Sequence, residues 1–132
     1  MNKVRKTAAA IAGAAVLVGL GALPAHAENY RDTSLTGWTP GKESTRWTDN
    51  NRDAASTSVR FADCHSDGGD GFKRANLKLW KDVFGPDENK GTKTNYCNTV
   101  GWGDQSAGSY YFELDSFTSG GVLTVKSIRI SW

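Results

Sequence analysis

From Ser56 to Cys64 the chain reads STSVRFADC, and this stretch narrows the fold more than any other. Thr57, Val59 and Phe61 share one parity, while Ser58, Arg60 and Ala62 share the other. Successive side chains of a strand point to opposite faces, so the alternation predicts a half-buried β-strand. Ser109–Leu114 (SYYFEL) and Val122–Trp132 (VLTVKSIRISW) read as the clearest strands, joined through Ser119, Gly120 and Gly121. In the last strand Leu123 and Val125 share a face, and Ile128, Ile130 and Trp132 share the opposite parity. A bulge near Lys126 and Ser127 would bring both sets to one core.

The remaining text is also β-like. Residues 28–41 predict an arm or first edge strand, and 43–49 (ESTRWTD) a short strand. DNNRDAA at 49–55 is a turn cluster, because Asn and Asp side chains bond nearby backbone; SDGGDG at 66–71 is a loop. Residues 72–84 are ambiguous: Leu77, Leu79 and Val83 fit one strand face, while Leu77, Trp80 and Phe84 fit helical spacing. Loop-like flanks favour the strand. Residues 85–92 (GPDENKGT) predict a turn-rich connection, and 93–100 a strand carrying Tyr96 and Cys97. Short strands between polar loops point to an all-β fold, a small antiparallel β-sandwich (Greek-key, immunoglobulin-like or jelly-roll-like) or a small barrel. Residues 104–112 (DQSAGSYYF) resemble the corner of immunoglobulin-like sandwiches, where a Tyr hydroxyl ties down the turn into a strand. That resemblance covers nine residues, lacks the Cys expected after Tyr110, and implies nothing about function.

The N-terminus has the three-part layout of a secretory signal peptide over residues 1–27. Lys3, Arg5 and Lys6 precede an uncharged run from Ala8 to Leu23, and Ala25-His26-Ala27 is a small-x-small cleavage pattern. The run falls short of the ~20 residues a membrane-spanning helix needs. The Ala-rich leader resembles those of high-GC Gram-positive bacteria. The expected product is a single secreted domain, residues 28–132, monomeric and free of the membrane once cleaved. Removing Lys3, Arg5 and Lys6 from the chain's 16 basic residues leaves 13 against 14 acidic ones. With no basic stripe, nucleic acid is excluded as the expected partner. Two cysteines, Cys64 and Cys97, in an exported chain predict one disulfide, joining two strands and worth roughly 3–4 kcal/mol in the chain-entropy model.

No catalytic signature stands out. His65 is the single His after the leader, no G-x-S-x-G is present, and a small hydrolase is only a minor reading. No metal is the leading expectation, with calcium as the candidate cofactor. Asp49, Asn51 and Asp53 match the first ligands of an EF-hand loop, but Ala54 and Arg60 stand where Gly and the bidentate Glu belong. Asp63, Asp67 and Asp70, interleaved with glycines, form the second calcium candidate. The aromatics say most. Trp80 and Trp132 lie in strand-like text and are expected in the core. Trp38, Trp47 and Trp102 have polar or Gly neighbours; each either plugs the core or stands exposed as a platform for sugar rings. Asp49, Asn51 and Asp104 are the expected hydroxyl partners. The leading expectation is therefore a non-catalytic binding module for an extracellular glycan or cell-surface polymer. The alternatives are a secreted protein-binding effector, either an inhibitor of an extracellular hydrolase or a toxin, and a structural cell-surface protein. Residues 85–93 are the candidate inserted loop of an effector.

Overall fold

A computed structural model describes residues 27–117 and 121–132; structural statements below concern these residues. Residues 1–26, on which the expected signal peptide falls, and residues 118–120 of the last connection lie outside them. Eight strands form: β1 Tyr30–Trp38, β2 Trp47–Asp49, β3 Ser58–Ser66, β4 Ala75–Asp82, β5 Glu88–Asn95, β6 Thr99–Gly101, β7 Gly108–Phe117 and β8 Leu123–Ser131. They make two antiparallel four-stranded sheets, ordered β1-β8-β3-β6 and β2-β7-β4-β5. Every connection except β4–β5 passes from one sheet to the other. The fold is thus a sandwich rather than a closed barrel, and no helix is found among the described residues.

The core follows the alternation. Val59 and Phe61 of β3 and Ala75, Leu77 and Leu79 of β4 turn inward, and all are buried. Phe112 and Leu114 of β7 and Ile128 and Ile130 of β8 meet them. The expected bulge is present: β8 slips register against β1 between Val125 and Ile128. Lys126 and Ser127 are both exposed there, while Val125 and Ile128 are both buried. The corner resemblance also holds locally. Tyr110 Oη donates to the carbonyl of Ser106, four residues back, and its ring packs 6.4 Å from Trp47.

Three expectations are corrected. The turn-rich connection is shorter than expected, because β5 already starts at Glu88. The strand expected over 93–100 is broken, with β5 ending at Asn95 and β6 starting at Thr99. Asn95, fully buried, is the cause. Its Oδ1 accepts from the amides of Cys97 (2.8 Å) and Asn98 (2.9 Å). Its Nδ2 donates to the carbonyls of Asn98 (2.9 Å) and Val59 (3.3 Å). A side chain that captures the next amides folds the chain into a tight turn instead of a ladder. Cys97 therefore sits in a turn at φ 71°, not in a strand, and its disulfide to Cys64 ties that turn to β3. Third, Trp80 is not in the core. It is out of phase with Leu77 and Leu79 and lies, partly exposed, on the solvent side of β4.

Candidate functional site

The solvent face of the β2-β7-β4-β5 sheet holds the most organised surface chemistry among the described residues. Trp80 of β4 pairs directly with Tyr111 of β7. Their rings are nearly parallel, 16° apart with centroids at 6.5 Å. Directly opposed cross-strand aromatics on one face are close enough to interact, and this near-parallel arrangement falls within the centroid range of aromatic pairs. The Arg46 guanidinium covers Tyr111, 3.8 Å from its centroid, and the Lys78 ammonium lies 5.4 Å from the Trp80 ring. Trp80 Nε1 donates to Glu113 Oε1 at 2.8 Å. The Tyr111 hydroxyl donates to Asp87. Burial, and then that bond to a carboxylate, push the Tyr111 phenol well above its ordinary range.

The cations on this face already have counter-charges. Arg46 pairs with Glu43 and Asp82, both at 3.2 Å. Burial works against its charge, but those two bonds outweigh it and hold Arg46 firmly protonated. Lys78 pairs with Asp115 at 3.2 Å. Beyond Lys78 the face continues in neutral groups: Thr94 Oγ1 donates to Asn76 Oδ1 (2.7 Å), and Asn76 Nδ2 donates to Ser116 Oγ (2.9 Å). Tyr111 is only 4% exposed beneath Arg46, so the face presents Trp80, backed by Tyr111, with amide and hydroxyl hydrogen-bonding groups and paired cations. It can stack an apolar ring face on Trp80 and bond hydroxyls, and its cations Arg46 and Lys78 are already engaged by carboxylates.

The tryptophans expected as platforms fall elsewhere. Trp47 is only 2% exposed. It stacks on Trp132 at 5.9 Å and on Tyr110, so it plugs the core and has no free face; its polar neighbours Thr48 and Arg46 simply lie on the wet side of β2. Trp38 is half-buried against Phe112, in a groove of about 120 Å³ with Leu35 and Ile128. Trp102 is half-buried over β5 and donates Nε1 to the Gly91 carbonyl at 2.9 Å. Trp38 ends β1 and Trp102 follows β6, the opposite edges of one sheet, so the three rings do not form one surface.

The expected polar partners do converge, as a cluster of their own. Asp49 Oδ1 accepts from the Asn51 amide at 2.7 Å. The Asn51 side chain, oriented with its nitrogen toward the acceptors, donates to Asp104 Oδ1 at 3.1 Å. Burial, and then the neighbouring carboxylates of Glu28, Asp53 and Asp104, raise the Asp49 pKa. The glycine-rich acidic loop does not converge on a cation. Asp63 pairs with His65 at 2.5 Å, with both side chains over half exposed. Asp67 Oδ1 instead accepts from the Val122 amide at 2.8 Å, pinning the β3–β4 loop to the start of β8. Among the described residues no three His, Cys, Asp or Glu side chains are grouped to hold a metal.

The residues that sequence reasoning missed are Trp80, Tyr111 and Arg46. Their signal was the parity of β4: Leu77 and Leu79 inward leave Trp80 outward. No family model, curated protein or solved structure matches the chain.

Proposed function

We propose that the protein is a small secreted, non-catalytic binding module for an uncharged extracellular glycan, taken on the solvent face of the β2-β7-β4-β5 sheet. The observation that carries the reading is the partly exposed Trp80 ring, backed by the buried Tyr111, among amide and hydroxyl groups, with the neighbouring Arg46 and Lys78 already matched by carboxylates. Sugar rings present apolar C–H faces and rings of hydroxyls, which this surface complements without a deep pocket. Balanced charge favours a neutral polymer, because an anionic one would compete with Glu43, Asp82 and Asp115 for the same cations. The Cys64–Cys97 disulfide fits an oxidising compartment, and the leader at residues 1–27 supplies the route of export.

The test is retention of the purified chain on insoluble cellulose, chitin and xylan, against polygalacturonate as the anionic control. Retention on a neutral polymer, insensitive to salt and lost in Trp80→Ala, is the expected result. Circular dichroism establishes that the variant is folded, which the outward position of Trp80 predicts. No retention on any neutral polymer, or retention unchanged in Trp80→Ala, overturns the reading.

A further inference from the structure

The β4–β5 hairpin ends in a feature the platform alone does not explain. Phe84 is 106% exposed, beyond even the extended-chain reference. A lone exposed apolar residue is ordinary on a surface, but this one stands on a loop fixed at several points. Asp87 closes the loop, accepting from the Val83 amide at 3.4 Å and from the Tyr111 hydroxyl. Gly85 supplies a φ of 91° that side-chain-bearing residues rarely adopt, and Pro86 locks its own φ. The loop is therefore fastened to the platform itself, through one of the two stacked aromatics. Phe84 stands in the bend two residues past Asp82, which ends β4 and whose carboxylate holds the Arg46 that covers Tyr111. The other exposed large apolar residues are Tyr30 on β1 and Tyr96, which follows β5 at the end of the hairpin opposite this loop. Gly85, Pro86 and Asp87 flank Phe84 without extending an apolar surface, whereas a protein-docking anchor sits at the centre of a desolvated patch.

We infer that Phe84 is a second stacking contact of the same site, so that the ligand is a linear polymer spanning Trp80 and Phe84 rather than a single sugar or a chain end. This rests on the glycan reading above and names the ligand's form. Four residues separate the two along the chain, a span of at most about 13–14 Å, within the reach of one oligosaccharide strand. A loop backbone already tethered through Asp87 loses little freedom on binding, which is how a shallow surface gains affinity.

The experiment is calorimetric titration of the folded wild type, Phe84→Ala and Trp80→Ala with cello-, xylo- and chito-oligosaccharides from disaccharide to hexasaccharide. Truncating Phe84 disturbs no buried contact, so the variant keeps the wild-type fold. The expected result is affinity that rises with length in the wild type, with Phe84→Ala weakening the hexasaccharide about tenfold, equivalent to ~1.4 kcal/mol, and leaving the disaccharide unchanged. Trp80→Ala weakens every length. Phe84→Ala that binds all lengths like wild type, or weakens all of them equally, overturns the inference while the platform stands. Absence of binding by the wild type at every length removes the glycan reading and this inference with it.

Discussion

Asn95→Ala is expected to be among the most damaging single substitutions outside the apolar core. The Asn95 side chain is fully buried and makes four hydrogen bonds, two accepted from the amides of Cys97 and Asn98 and two donated to the carbonyls of Asn98 and Val59. At a net ~1 kcal/mol each, all four together set an upper figure of about 4 kcal/mol. Asn98 is exposed, so water can replace part of the loss there; the Val59 carbonyl is in the buried layer and has no such substitute. The expected cost is therefore about 2–4 kcal/mol. With a slope of about 1.5 kcal/mol per molar urea, the unfolding midpoint should fall by about 2 M at an unchanged slope. The assay is equilibrium urea unfolding followed by tryptophan fluorescence. The disulfide holds the same turn, so a cycle with Cys64→Ser/Cys97→Ser should show coupling of about 1 kcal/mol or more between bridge and amide. A loss below about 1 kcal/mol for Asn95→Ala, or strict additivity with the bridge, would refute the account of the turn as an Asn95-centred device.

Two further outcomes test the same structure. Removing the disulfide in Cys64→Ser/Cys97→Ser frees a loop with a sequence separation of 33; chain entropy predicts a loss of about 4 kcal/mol, read as a melting temperature lower by roughly 15 °C in calorimetry. Asp49 keeps its proton to higher pH in the folded state than in the unfolded chain, since burial and then its neighbouring carboxylates raise its pKa. Its contribution is full below the unfolded pKa and is lost as pH rises through the folded one. Asp49→Asn retains the acceptor for the Asn51 amide, so the variant should gain on wild type between pH 3 and pH 7 in thermal unfolding; a variant that loses ground over that range contradicts the assignment.

The sequence by itself determined the all-β class, the strands with the strongest alternation and the disulfide pair, while sandwich over barrel came from the two-sheet topology. Val59 and Phe61 on one parity, and Ile128 and Ile130 out of step with Val125, required strands and a bulge whatever the neighbours were, because the strand period is a property of the backbone. The Tyr110 corner was equally local, its hydroxyl reaching only four residues back. Parity does not say which side of a strand another sheet will cover. Trp47, set among Arg, Thr and Asp, reads either as a core plug or as an exposed platform, and Trp80, beside Leu79, reads as core. The opposite sheet decides both: Trp132, just after β8, closes over Trp47, which also stacks on its own sheet neighbour Tyr110, while Trp80 lies on the outer side of β4, away from that sheet. The break at Asn95 escaped for a related reason. An Asn in strand-like text looks ordinary until the fold buries it, and in a site without water its four bonding positions must be filled by the backbone around it. Local periodicity fixed which residues travel together; only the packing of one sheet on the other decided which of them meet solvent, and therefore where a ligand can bind.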